Sequence, residues 1–175
     1  MTEQEVVDIV DTDDTIQGET TLDQCYRRGL LHRAVTIYCW NDEGKVLLQR
    51  RSLKDDWFPG YWTASCTGHV KRGESWSSAS VRELHEELGL ESCELSLLFK
   101  YVVPPIRYEG LLEYEMMYVL ETQIGKSKIQ FDRAEVEEVK FFGLQNFKFF
   151  FERNTPVITP DALNSYRRYA KIKGI

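Results

Sequence analysis

Gly68-His69-Val70-Lys71-Arg72-Gly73-Glu74-Ser75-Trp76-Ser77-Ser78-Ala79-Ser80-Val81-Arg82-Glu83-Leu84-His85-Glu86-Glu87-Leu88-Gly89-Leu90 is the stretch that decides the fold. Its second part predicts a helix from about Ser75 to Leu88, stopped by Gly89. Glu83 lies three residues before Glu86 and four before Glu87, so at 3.6 residues per turn all three carboxylates share one stripe. Like charges at these spacings cost a few tenths of a kcal/mol per pair. They also occupy the last two turns, where the helix dipole disfavours anions. No Lys or Arg follows four residues on, since those positions are Glu87, Leu90 and Glu91, and Arg82 is placed to reach only Glu86. The plain reading is a solvated acidic face. The functional reading is a cation site, because oxygen ligands on a rigid helix suit Mg²⁺ or Mn²⁺. Gly68 lets backbone approach a ligand closely, Gly73 supplies a tight turn, and Glu74 is expected in the helix's first turn.

Outward from this stretch, strands outnumber helices and never settle into regular βαβ alternation, which predicts an α/β fold of the α+β type with a mixed sheet sandwiched by helices. A hairpin is expected from Val6–Val10 and Thr15–Gly18. A helix capped by Thr20 or Thr21 should follow and end at Gly29. Further strands are expected at Arg33–Trp40, Lys45–Gln49, Tyr61–Cys66, Leu95–Val103, Leu111–Glu121 and Val136–Phe142. Helices are expected at Leu144–Phe151 and from Pro160 to about Lys171. With 175 residues and no linker or repeat, the chain reads as a single domain, residues 1–175, with residues 1–30 as a hairpin-and-helix extension. A net charge of −6 argues against nucleic acid as a partner. No apolar run approaches a membrane span, and the first residues lack a basic, apolar leader, so a cytoplasmic protein is expected. Cys25, Cys39, Cys66 and Cys93 form no CxxC pair and are expected to be reduced thiols.

Taken together, the stretch resembles the Nudix box. Gly68, Glu74, Arg82, Glu83, Leu84, Glu86, Glu87, Gly89 and Leu90 occupy all nine of its constrained positions, a match expected by chance at a given start on the order of 10⁻⁹ of the time. The resemblance implies a loop–helix–loop over residues 68–90 on an α/β/α sandwich. It also implies Mg²⁺- or Mn²⁺-dependent hydrolysis of a diphosphate bond in a small molecule. It assigns Glu83, Glu86 and Glu87 to metal and catalysis, with Glu83 as first choice for the base. Arg82 would brace the loop, and a carbonyl near Gly68 would complete the metal shell.

From about Val6 to Val119 the chain is also similar to the Nudix branch that includes type 1 isopentenyl-diphosphate isomerase. The similarity is carried by Leu31–Ala34, Leu47–Arg51, Trp57–Thr63, Gly68-His69 and Gly110–Glu115. It implies further metal ligands at His32, His69, Glu113 and Glu115, the two glutamates facing one way in a single strand. Two departures weigh against isomerisation. Thr67 stands where the isomerases carry a catalytic Cys, and Cys66, one residue away, would face oppositely. The helix keeps the complete glutamate set, where the isomerases have a basic residue at the position of Glu83. The expected function is therefore hydrolysis, with isomerisation of a C5 diphosphate as the alternative. A module that binds a nucleotide diphosphate without cleaving it is a third reading, disfavoured by the complete acidic set.

Other residues have plainer readings beside functional ones. Alternation points one of Arg50 and Arg51 inward, and the resemblance favours Arg51 as the phosphate contact. Trp57, Phe58, Tyr61 and Trp62 are read first as core and only second as a stacking platform for a base. Phe141, Phe142, Phe147 and Phe149–Phe151 are read as core or a homodimer face. Glu135, Glu137 and Glu138 are read as a charged loop, although many Nudix proteins carry an extra catalytic glutamate there.

Overall fold

The computed structural model describes residues 5–91 and 94–175. At its centre β3 (His32–Trp40) is buried along almost its whole length, because each face of the strand is apolar. Ala34 and Tyr38 point to one side, and Val35, Ile37 and Cys39 to the other. The period of two repeats in β4 (Lys45–Arg51) and β10 (Glu115–Gln123). Val46, Leu48, Met117 and Val119 join the first core, while Leu47, Met116, Tyr118 and Leu120 join the second. A strand buried on both faces needs a layer on each. On one side lies α2 (Trp76–Leu88), through Ala79, Leu84 and Leu88. On the other lie α3 (Leu144–Arg153) and α4 (Pro160–Lys173), through Phe147, Phe151, Tyr166 and Tyr169. This is the expected mixed sheet between helices.

β10 runs parallel to β3 over nine pairs, from Glu115 opposite His32 to Gln123 opposite Trp40. β6 (Cys66–His69) runs antiparallel to β3, with Ala34 opposite His69. β7 (Leu95–Val102) flanks β10, and β11 (Val136–Gly143) flanks β4. The predicted hairpin is present as β1 (Val6–Val10) and β2 (Ile16–Thr21), and it joins the sheet where Ile9 faces His32. The helix after it, α1 (Leu22–Arg28), is capped by Thr21 and ends at a left-handed Gly29, as predicted.

Three local expectations fail. The strand placed at Tyr61–Cys66 is instead a short β5 (Trp62–Thr63) on β4 and the separate β6, so Gly68 and His69 are strand residues. The run placed at Leu111–Glu121 breaks at Tyr114. Its first part is β9 (Leu111–Glu113), which pairs with β8 (Ile106–Tyr108) in a second, two-stranded sheet. Glu74 precedes the helix, whose N-cap is Ser75, and no acid occupies the first turn. The aromatic run near α3 divides: Phe142, Phe147 and Phe151 are buried, whereas Phe141 and Phe149 are exposed. Cys25 and Cys66 are buried thiols, and Cys93 lies outside the described residues.

Gly89 ends α2 at φ +67°, where a Cβ would lie 2.8 Å from the Gln130 carbonyl oxygen. The segment it touches accounts for the helix's last carbonyls, with Gln130 N–H donating to Leu88 and Asp132 N–H to Glu87. Gly89→Ala is therefore expected to destabilise the protein by about 1–3 kcal/mol, from left-handed backbone strain plus the displaced segment. Urea unfolding should show a lower midpoint at an unchanged slope.

Candidate active site

One cavity of about 460 Å³ opens between α2, β6, the β9–β10 junction and the start of α4. Its wall carries Glu83, Glu86 and Glu87 from α2 and Glu113 and Glu115 from the junction. The bases facing them are few, chiefly Arg51, Arg82 and His69.

Arg82 does far more than reach Glu86. Its Nε and NH2 donate to Glu74 at 3.1 and 2.9 Å, NH2 also donates to the His69 carbonyl at 2.8 Å, and NH1 donates to Glu83 at 2.6 Å and Glu86 at 2.9 Å. One planar guanidinium thus ties the loop before α2 to β6 and to two of the three helix carboxylates, a task its forked donors suit. Glu74 has its place just outside the helix for this reason, and it also accepts from Lys71 N–H at 3.1 Å. Gly68 is explained by close approach and Gly73 by its left-handed backbone. A Cβ on Gly68 would sit 2.1 Å from the Glu83 carboxyl carbon. Gly73, at φ +71°, donates its N–H to Asp8 at 3.1 Å.

Glu87 is 8% exposed and accepts from Gln49 Nε2 at 2.8 Å and from Thr67 N–H at 3.3 Å. Burial, then the Glu83 charge, pushes its pKa up to about 8. Burial likewise pushes Glu83 up to about 7 despite the opposing pull of Arg82. Two adjacent carboxylates that resist ionisation are a place where positive charge is missing.

A second grouping is assembled by strand pairing. Among the described residues, ligand atoms of His32, His69 and Glu115 all lie within 4.8 Å of one another. His32 is fully buried, with Nδ1 3.0 Å from the Leu30 carbonyl. Nδ1 is then the N–H donor, and Nε2 keeps its lone pair, buried and without a hydrogen-bond partner, 4.0 Å from Glu115. Burial, then the neighbouring His69, lowers the His32 pKa to about 4, so the ring is neutral and able to ligate. His69 Nε2 lies 2.9 Å from the Tyr26 hydroxyl and 3.5 Å from Glu115. Burial opposes its protonation, but Glu115 and Glu5 raise its pKa on balance. Glu113, expected to join this group, stands outside the three. It is buried in the same cavity wall, with Oε2 unpartnered. These donors fit a divalent cation. His32 and the carboxylates supply the neutral-imidazole and oxygen ligands such ions take, and the orphaned His32 Nε2 lacks any other partner.

Arg51 points into the cavity as expected, held by the Trp57 carbonyl at 2.8 Å and Asp55 at 2.7 Å, while Arg50 pairs outward with Glu138. Of the three acids near position 137, Glu135 alone lines the cavity. Cys66 is fully buried in the α2-side core, and Thr67 lines the cavity in its place. Sequence reasoning missed Gln49, Tyr26 and Asp161. Gln49 and Asp161 carry no local signal.

A mixed sheet between helices, with an arginine-braced glutamate helix and a buried histidine–carboxylate group on one cavity, is the build of a protein that handles diphosphates through divalent metal. The family comparison agrees: residues 30–161 match the NUDIX domain, and the chain belongs to the Nudix family. It is 32% identical over 140 residues, 80% of this chain and 78% of the other, to isopentenyl-diphosphate Delta-isomerase 2 of Photorhabdus laumondii. It is 35% identical over 115 residues to the isopentenyl-diphosphate Delta-isomerase of Serratia proteamaculans, covering 66% of this chain and 64% of that one. In fold it is similar to a crystal structure from Deinococcus radiodurans, with a TM-score of 0.72 at 19% identity over 94% of this chain and 98% of that one. The chain is thus an enzyme acting on small diphosphates, with relatives named isomerases. Among the described residues, no helix is long and apolar enough to cross a membrane.

Raised carboxylate pKa values set the pH dependence of stability. Below the unfolded value of about 4.5, Glu83 and Glu87 are protonated in both states. As pH rises toward 8, only the unfolded chain releases the protons freely, so the folded state loses stability. Melting without divalent metal should therefore fall between pH 5 and 8 more steeply for the parent than for Glu87→Gln. Added Mn²⁺ should recover the loss for the parent. Gly68→Ala should weaken Mn²⁺ binding by at least tenfold in titration calorimetry, because it displaces Glu83.

Proposed function

We propose that the protein is a Mg²⁺- or Mn²⁺-dependent hydrolase of a diphosphate bond in a small molecule. The observation that carries this reading is the combination in one cavity of Glu83, Glu86, Glu87 and Arg82 with Thr67, while Cys66 is sealed in the core. Hydrolysis needs carboxylates and a water, whereas moving a double bond needs groups that add and remove protons at carbon. A hydroxyl with a pKa far above 7 serves poorly in the second role.

Glu83, Glu86 and Glu87 would hold one divalent ion, and His32, His69 and Glu115 another, with Glu113 beside them. A bound ion would neutralise phosphate oxygens and lower the pKa of water. The chain's own residues account for the rest. Arg82 binds Glu83 through Oε1, leaving Oε2 to take the proton from the attacking water. The water oxygen bonds to phosphorus as the bridging P–O bond breaks, and its electron pair leaves on the departing phosphate. Arg51, anchored by Asp55 and the Trp57 carbonyl, is placed to bind a phosphate oxygen. Glu135 is a second candidate for the base.

The isomerase reading draws support from the named relatives and from the His32–His69–Glu115 group. The two readings separate experimentally. With Mg²⁺, phosphate release is expected from at least one of a panel of nucleoside di- and triphosphates, nucleotide sugars and prenyl diphosphates. Glu83→Gln and Glu87→Gln should lower that kcat by about 10²-fold or more, and Cys66→Ala should change it by less than about threefold. Deuterium entering isopentenyl diphosphate from heavy water without phosphate release, lost in Cys66→Ala, would establish the isomerase instead.

A further inference from the structure

Glu5, the residue just before β1, reaches the cavity from the N-terminal extension. Its backbone is held from two sides. The Glu5 carbonyl accepts from Leu22 N–H at 2.9 Å, at the start of α1, and the Val6 carbonyl accepts from Arg72 N–H at 2.8 Å, in the loop after β6. Val7 pairs with Lys71 across the same contact. Glu5 therefore has a fixed place beside the helix that carries Tyr26 and the strand that carries His69. Its side chain is 31% exposed, yet Oε1 is buried, without a hydrogen-bond partner among the described residues, and 3.6 Å from His69 Nδ1. A buried carboxylate oxygen is costly unless a donor answers it, and His69 Nδ1 is the atom placed to do so.

The other edge of the His69 ring faces the candidate ligands: Nε2 lies 3.5 Å from Glu115 and 2.9 Å from the Tyr26 hydroxyl. A neutral ring that accepts the Tyr26 O–H at Nε2 carries its proton on Nδ1, and a charged ring carries one there as well. The remaining tautomer would set an Nδ1 lone pair against a carboxylate oxygen, two acceptors facing each other. We propose that Glu5 is a positioning residue for the metal group: it accepts from His69 Nδ1–H, fixes the tautomer and rotation of the ring, and so keeps the Nε2 lone pair turned toward His32 and Glu115. His32 is oriented by the same scheme, with Nδ1 on the Leu30 carbonyl and Nε2 toward Glu115. At 3.6 Å the Glu5 contact is longer than a formed hydrogen bond, and a small turn of either side chain closes the gap. Acceptors on the far nitrogen of a ligating histidine set its orientation and basicity, and their loss costs about 10- to 100-fold in metal affinity. The inference rests on the metal reading of His32, His69 and Glu115, and it holds for hydrolysis and isomerisation alike. It makes the N-terminal extension part of the site, although Glu5 lies outside the matched residues 30–161.

Nitrogen NMR of the full chain with ¹⁵N-labelled histidine rings tests the contact directly. In the metal-free parent, and again with Zn²⁺ bound, His69 Nδ1 should carry a proton, and Zn²⁺ should shift the Nε2 signals of His32 and His69. Mn²⁺ affinity, read by titration calorimetry, should fall about 10- to 100-fold in Glu5→Ala. It should fall less in Glu5→Gln, whose amide oxygen still accepts and whose size preserves the local packing. In a His69→Ala background, Glu5→Ala should add no further loss. A bare Nδ1 with the proton on Nε2, Mn²⁺ affinities of both Glu5 variants equal to the parent's, or an undiminished Glu5→Ala loss in the His69→Ala background would overturn the proposal. Mn²⁺ binding left intact by both His32→Ala and His69→Ala would overturn the metal reading itself, and the proposal with it.

Discussion

Carboxylates crowded into one low-dielectric cavity repel one another, and much of the molecule near the site is arranged around that repulsion. Arg82 is the main relief. It spends its five donors on Glu74, Glu83, Glu86 and a β6 carbonyl, and so fixes the loop, the strand and the helix relative to each other. Where Arg82 does not reach, at Glu87, the carboxylate is held by the Gln49 amide, the Thr67 N–H and the Cys66 thiol, and it keeps a proton until well above the ordinary range. An apolar replacement would avoid this cost. A carboxylate held in a cavity at that cost suits a divalent cation.

The two halves of the site reach the cavity by different physical routes. The helix carboxylates are brought together by local geometry, three and four residues apart on one turn of α2. His32, His69 and Glu115 are brought together by register: the parallel pairing of β10 on β3 sets Glu115 opposite His32, and the antiparallel pairing of β6 sets His69 opposite Ala34. The break at Tyr114 belongs to the same design. By sending β9 into the small second sheet, it ends the strand between Glu113 and Glu115 while leaving both on the wall of one cavity.

Thr67 and Cys66 are neighbours in β6 whose side chains the strand sends to opposite sides of the sheet. The relatives named as isopentenyl-diphosphate isomerases share about a third of their aligned residues with this chain. In β6, alternation puts Thr67 at the cavity and Cys66 among Val35, Ile37 and Leu84, where burial pushes the thiol pKa far up. A thiol so placed is held in its neutral form, with the Glu87 carboxylate as its partner.

Sequence alone determined the glutamate stripe, a cap at Thr20 or Thr21, the helix stops at Gly29 and Gly89, and the inward turn of one of Arg50 and Arg51, with the resemblance choosing Arg51. The stripe and the alternation rest on periodicity and the caps on side-chain and glycine chemistry, which a linear pattern carries directly. The Nudix resemblance added the brace at Arg82 and the candidate ligands at His32, His69, Glu113 and Glu115. Tertiary structure alone decided that Glu74 belongs to Arg82 rather than to the helix, and that Gly68 exists to admit Glu83. It also decided that Glu113 parts from the histidine group and that Gln49, Tyr26 and Asp161 converge on the cavity. Those placements depend on contacts across dozens of residues, set by strand register and by which helix covers which face, and neither leaves a local trace along the chain.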